Sequence, residues 1–135
     1  MPYLDSNVFI YPVIYQEESE PKAKKAKEIL SSVEAGKLDA STSTLTWDEV
    51  VWVVSKTMGR NEGINQGKKL LGFPNLKFIP TDGPVVSHAQ RLMEKRKINP
   101  RDAIHVASAL ERKINEIVSN DSELDVIKEI KRIQF

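Results

Sequence analysis

The chain has 135 residues, 40% hydrophobic and 29% charged, which suffices for one globular domain with a real core and is short for two. Its 20 basic and 19 acidic residues leave a net charge of +1, so no global field selects nucleic acid or membrane. The absence of cysteine excludes disulfides, thiolate zinc sites and a cysteine nucleophile.

In chain order, Tyr3–Leu4 reads as a brief strand and Ser6–Tyr15 as a helix that Pro12 is expected to kink. From Ser19, the residues Ala23, Ala26, Ile29, Leu30 and Val33 recur at helical spacing until Gly36 stops the run. Leu38–Thr42 is a second strand. Leu45–Met58 is a strongly apolar helix ending at Gly59, and a polar helix over Glu62–Leu71 follows. Trp47 and Trp52, among apolar neighbours, are expected in the core or on a dimer face. Leu76–Ile79 is a third strand, placed at the sheet margin, and Asp82–Arg96 a helix. Asn99 and Pro100 open another helix as N-cap and first helical residue. Glu116–Ser119 is a fourth strand and Ile130–Gln134 a fifth. No internal repeat or linker interrupts residues 1–135, which predicts a single domain. Strands alternating with helices predict a three-layer α/β/α domain, its central parallel sheet of four to five strands covered on both faces. No apolar segment approaches the roughly 18 residues of a membrane span. No signal-like N-terminus points to export either, so a cytoplasmic protein is the expectation.

In such a sheet every strand ends at one edge, and the helix N-termini begin there too, so ligands bind at that edge. Four carboxylates reach it. Asp5 ends the first strand, Glu49 lies near the start of the helix after the second, Asp102 opens the Asn99-capped helix, and Asp121 follows the fourth strand. Each also has a plain structural role open to it. Asp5 can cap the next helix, Glu49 stands at capping-box spacing from Thr46, Asp102 complements a helix dipole, and Asp121 suits a turn. Together they repel unless a cation neutralises them, and oxygen-rich clusters suit Mg²⁺ or Mn²⁺. His105 lies one turn after Asp102 and could reach the site, although a histidine in an Ala-rich helix is ordinarily a packed one. The basic run Arg91, Lys95, Arg96, Lys97 and Arg101 is either a solvated face or a contact for RNA phosphates.

Four blocks in order, LDSNVFIY, TLTWDEVVWVV, NPRDAIHVASAL and IVSNDSELD, resemble the PIN-domain nucleases. The resemblance spans nearly the whole chain. It implies a Rossmann-like domain with strand order 3-2-1-4-5 and a metal-dependent endoribonuclease that leaves a 5′-phosphate and a 3′-hydroxyl. By this resemblance Asp5, Glu49, Asp102 and Asp121 are the catalytic, metal-binding acids for Mg²⁺ or Mn²⁺. Asn7 and Ser119 are their polar supports, and Asp125 is a lesser acidic candidate. Leu124 departs from the family, where a phenylalanine is common, at a position that reads as packing. The size resembles that of stand-alone toxins of toxin–antitoxin pairs (VapC type), which implies an RNA substrate, a homodimer and an antitoxin that masks the acidic site.

Other enzymes with an aspartate after the first strand fit less well. The HAD-type phosphatases need a second aspartate where this chain has Asn7, and response regulators need an acidic pair in the preceding loop. No Gly-rich loop follows a strand, which excludes dinucleotide binding. A module that keeps the fold and its acids but binds RNA or protein without cleaving remains the alternative of a different class.

Overall fold

Five parallel strands run through the centre of the computed structural model, which describes residues 1–135. They are β1 (Tyr3–Leu4), β2 (Ala40–Ser43), β3 (Leu76–Ile79), β4 (Glu116–Val118) and β5 (Lys131–Ile133), in the order β3-β2-β1-β4-β5. Tyr3 pairs with Ser41 on one side and Ile117 on the other, so the shortest strand is the central one. Both of its residues are fully buried, which is why it reads as an apolar pair without alternation. β3, as the sequence predicts, is an edge strand.

The period of two decides which core each strand residue enters. Tyr3 and Ile117 point to one face, into a core with helices α5 (Gly83–Lys95) and α6 (Pro100–Glu111). Leu4 and Val118 point to the other, beneath α1 (Ser6–Ile14), α2 (Pro21–Glu34), α3 (Thr44–Met58) and α4 (Arg60–Leu71). The result is the three-layer α/β/α arrangement. Local chemistry sets the boundaries to within a few residues of the sequence reading. Asn99 caps α6 with Pro100 at its first position, and Asp82 caps α5 by accepting from the Val85 amide at 3.1 Å. Gly36, at φ 76°, takes the left-handed turn after α2 that a side chain would strain. No helix is long and apolar enough to cross a membrane.

Two points on α3 sharpen the sequence reading. Trp47 and Trp52 are 41% and 60% exposed, so of the two places expected for them the core is excluded. Their helix shows its buried side through Thr46, Val50 and Val54 instead, and Lys56 sits 5.5 Å from the centre of the Trp52 ring. The helix also starts earlier than expected. Ser43 is its cap, while the Thr46 hydroxyl bonds to Thr42, which removes the capping-box role for Glu49.

Gly63 and Gly67 let α4 lie directly against α3. A Cβ on Gly63 would meet the Ser55 hydroxyl at 1.9 Å and the Val51 carbonyl oxygen at 3.1 Å. Gly63→Ala should therefore destabilise the protein by about 1–3 kcal/mol, although alanine is the better helix former by about 1 kcal/mol. Urea denaturation checks this, and a stabilised variant would mean that the two helices separate without cost.

Candidate active site

The carboxyl end of the sheet gathers the acids. Asp5, directly after the central strand, is 6% exposed and both caps α1 and faces the site. One of its oxygens accepts from the Ser6 amide at 2.7 Å and the other from the Ser119 hydroxyl at 2.7 Å. Ser119 is fully buried, and its oxygen also accepts from the Asp121 amide at 3.0 Å, so one hydroxyl ties two of the acidic segments together. Asp121 in turn caps a 3-10 turn at Ser122–Val126, accepting from the Glu123 amide at 3.0 Å. Asp102 lies in the first turn of α6. The Asn99 cap grips it twice, accepting from its amide at 2.9 Å and donating to its carboxylate at 2.7 Å.

Glu49 is held by a different device. It lies in the second turn of α3, and its carboxylate meets Nε2 of His105 at 2.5 Å. His105 is 2% exposed, its Nδ1 is 2.5 Å from the Tyr3 hydroxyl, and Asp5 is 3.7 Å from Nε2. Burial by itself pulls the imidazole pKa down, but the Tyr3 oxygen and the Glu49 and Asp5 carboxylates outweigh it and hold it well above the ordinary value. The buried imidazole thus links the central strand, α3 and α6.

Asp102, Asp121 and Glu123 each offer an oxygen, all within 4.8 Å of one another. The Asp102 carboxyl is pushed up to about 7, first by burial, then by its contact with Asp121 and the charges of Asp121 and Asp5, against a smaller opposing pull from His105. Hard oxygen donors, no free imidazole and no thiol form a donor set that suits Mg²⁺ or Mn²⁺.

Of the residues expected at the site, Asp5, Asp102, Asp121 and Ser119 come together directly, and Glu49 joins them through His105. Asn7 lies half-buried in the first turn of α1, and no hydrogen bond joins it to the acids. Asp125 turns away. Arg132 grips both of its oxygens, at 2.8 and 3.1 Å, and holds its carboxyl below the usual range. The second acid of that stretch that reaches the group is Glu123, because the Asp121 cap bends the chain at that residue. The stretch SNDSELD holds both acids and no local signal that separates them. His105 did carry a signal, its helical spacing from Asp102.

The fold resembles several solved structures. VapBC2 from Rickettsia felis, bound to a promoter DNA fragment, matches with a TM-score of 0.71 at 16% identity, over 99% of this chain and 98% of that one. VapC20 of Mycobacterium tuberculosis, a sarcin–ricin loop cleaving toxin, matches with a TM-score of 0.75 at 11% identity over 95% of each chain. FitAcB from Neisseria gonorrhoeae matches with a TM-score of 0.68 at 17% identity, over 98% of this chain and 96% of that one. No curated protein sequence matches significantly. The model of the PIN domain matches residues 3–130, which include every acid of the site and the first four strands, β5 lying just beyond. With the strand order and the acidic edge already in agreement, that match makes this chain a member of the PIN-domain family.

Proposed function

We propose that the protein is a Mg²⁺- or Mn²⁺-dependent endoribonuclease, the toxin of a toxin–antitoxin pair. The observation that carries the reading is the gathering of Asp102, Asp121 and Glu123 within 4.8 Å of one another, a crowding that, with burial, pushes the Asp102 carboxyl up to about 7. Such crowding is costly for stability alone and fits a site built around a divalent cation. Asp102, Asp121 and Glu123 would hold the ion, with Asp5 beside them. When bound, such an ion acidifies a water for in-line attack and neutralises charge on the scissile phosphate. The chain's own contribution is position: Asn99 fixes Asp102, and Ser119 fixes Asp5 relative to Asp121. His105 has both nitrogens engaged, so it anchors Glu49 and does not act as a general base. The likeness to toxin structures supports an antitoxin partner and, for VapC20, an RNA substrate; a homodimer follows from the same reading.

RNA cleavage in Mg²⁺ or Mn²⁺ tests this. The parent protein should cleave, EDTA should stop it, and Asp5→Asn should lower the rate by at least about 100-fold, the scale of losing several kcal/mol of transition-state stabilisation. Equal cleavage by Asp5→Asn would remove the assigned site, and no cleavage by the parent would favour a binding module.

A further inference from the structure

A groove of about 580 Å³ opens at the loop between α5 and α6. Asn99 and Glu123 are among its lining, and these are the residues that grip Asp102 and complete the acidic group. Met93 and Val126, 40% and 44% exposed, give it an apolar wall, while Arg96 and Lys97 supply two cations. Arg96 also borders a second, smaller hollow of about 150 Å³, shared with His88, Arg91 and Lys95 on one face of α5. His88, Arg91 and Lys95 are spaced three and four apart, so they form a row about 10 Å long at 1.5 Å per residue. The acids near this path are partly committed. Glu111 pairs with His88 at 2.8 Å, and Glu129 is 3.9 Å from Arg96.

We propose that this groove and the α5 row form the substrate track, in which one side of a single-stranded RNA leaves the acidic site, its first phosphate on Arg96 and Lys97 and a base against Met93 and Val126. The inference rests on the nuclease reading and goes beyond it by naming the path and its residues. Charge complementarity favours this occupant. On a chain of net charge +1, the cations of this loop and helix concentrate beside an acidic centre that cannot itself attract a polyanion. Mixed cationic and apolar lining suits a strand that presents phosphates and unstacked bases together.

The test uses the full chain carrying Asp102→Asn, so that RNA stays intact, and a fluorescein-labelled single-stranded RNA read by anisotropy across a salt series. Arg96→Glu with Lys97→Glu should weaken binding at least about tenfold and make the salt slope shallower by about 1.4, the value for two lost phosphate contacts on a single strand. Lys24→Glu with Lys25→Glu, on exposed positions of α2 on the opposite face, changes net charge equally and should leave binding near the parent value. Equal losses in the two double variants would reduce the effect to net charge and overturn the track. Cleavage by the Asp102-containing protein separates the two readings. If that protein cleaves and its Arg96→Glu, Lys97→Glu form cleaves and binds equally well, the track falls and the nuclease stands. If it does not cleave but binding depends on Arg96 and Lys97, the nuclease falls and the groove stands as a nucleic-acid surface. If it neither binds nor cleaves, both fall.

Discussion

Asp102→Asn is expected to abolish RNA cleavage and, in EDTA at pH 8, to make the protein more stable than the parent. In the metal-free protein the Asp102 carboxyl titrates at about 7, against an ordinary value near 3.8, because burial and its acidic neighbours disfavour its charge. Between those values the folded state holds a proton that the unfolded chain has released. The contribution is therefore fully present below about pH 4 and lost as pH rises through about 7. Above that, the parent must fold with a repelled carboxylate, and the variant carries a neutral amide that can still accept from Asn99. The gain should be on the order of 1–2 kcal/mol at pH 8, after allowing for solvent screening of a half-exposed group, and should shrink toward pH 4. Urea denaturation at the two pH values reads the difference, and saturating Mg²⁺ should reverse it by favouring the parent. A variant no more stable than the parent at pH 8 would show that the acids are not in conflict, and the strongest physical argument for a cation site would be lost. For the same reason metal binding should release a proton below pH 7 and tighten as pH rises.

The second large effect is expected at His105, outside the acids themselves. His105→Ala removes a buried imidazole from between Glu49, Asp5 and Tyr3, leaving the Glu49 carboxylate and the Tyr3 hydroxyl without their hydrogen-bond partner. Loss of one member of a buried charged set costs about 3–5 kcal/mol, and that cost is expected here in urea denaturation at pH 7. Glu49→Gln keeps a hydrogen-bonding group against the imidazole and should cost less, about 1–2 kcal/mol. The pH dependence has a definite sign. Because the folded imidazole is held well above its ordinary value, its stabilisation is complete below that value and fades as pH rises through the folded one. The alanine variant should lack this component of the parent's alkaline decline. A cost under about 1 kcal/mol would mean that the network adds no net stability, as happens when desolvation cancels attraction. Activity gives a second readout. His105 acts by position, so a folded His105→Gln protein should retain part of the cleavage rate, whereas Asp102→Asn should not.

These two residues also mark how far the sequence reaches. Period and punctuation were enough for the layers and nearly every element, since Asn99-Pro100, Asp82, Gly36 and Gly59 act on their immediate neighbours. They were enough, too, for the edge on which Asp5, Glu49, Asp102 and Asp121 converge, because a parallel sheet leaves one place for strand ends and helix starts. What followed from contacts between distant segments was not legible. Ser119 and Asp5 are 114 residues apart, and only folding makes one hydroxyl serve both Asp5 and Asp121. The choice of Glu123 over Asp125 depended on where Arg132 of the last strand would lie. The exposure of Trp47 and Trp52 depended on which side of α3 the sheet and α4 would take. Local sequence determined the elements and the edge where charge collects. Packing decided which charges touch, because hydrogen bonds and Coulomb forces act over a few ångströms in space and take no account of distance along the chain.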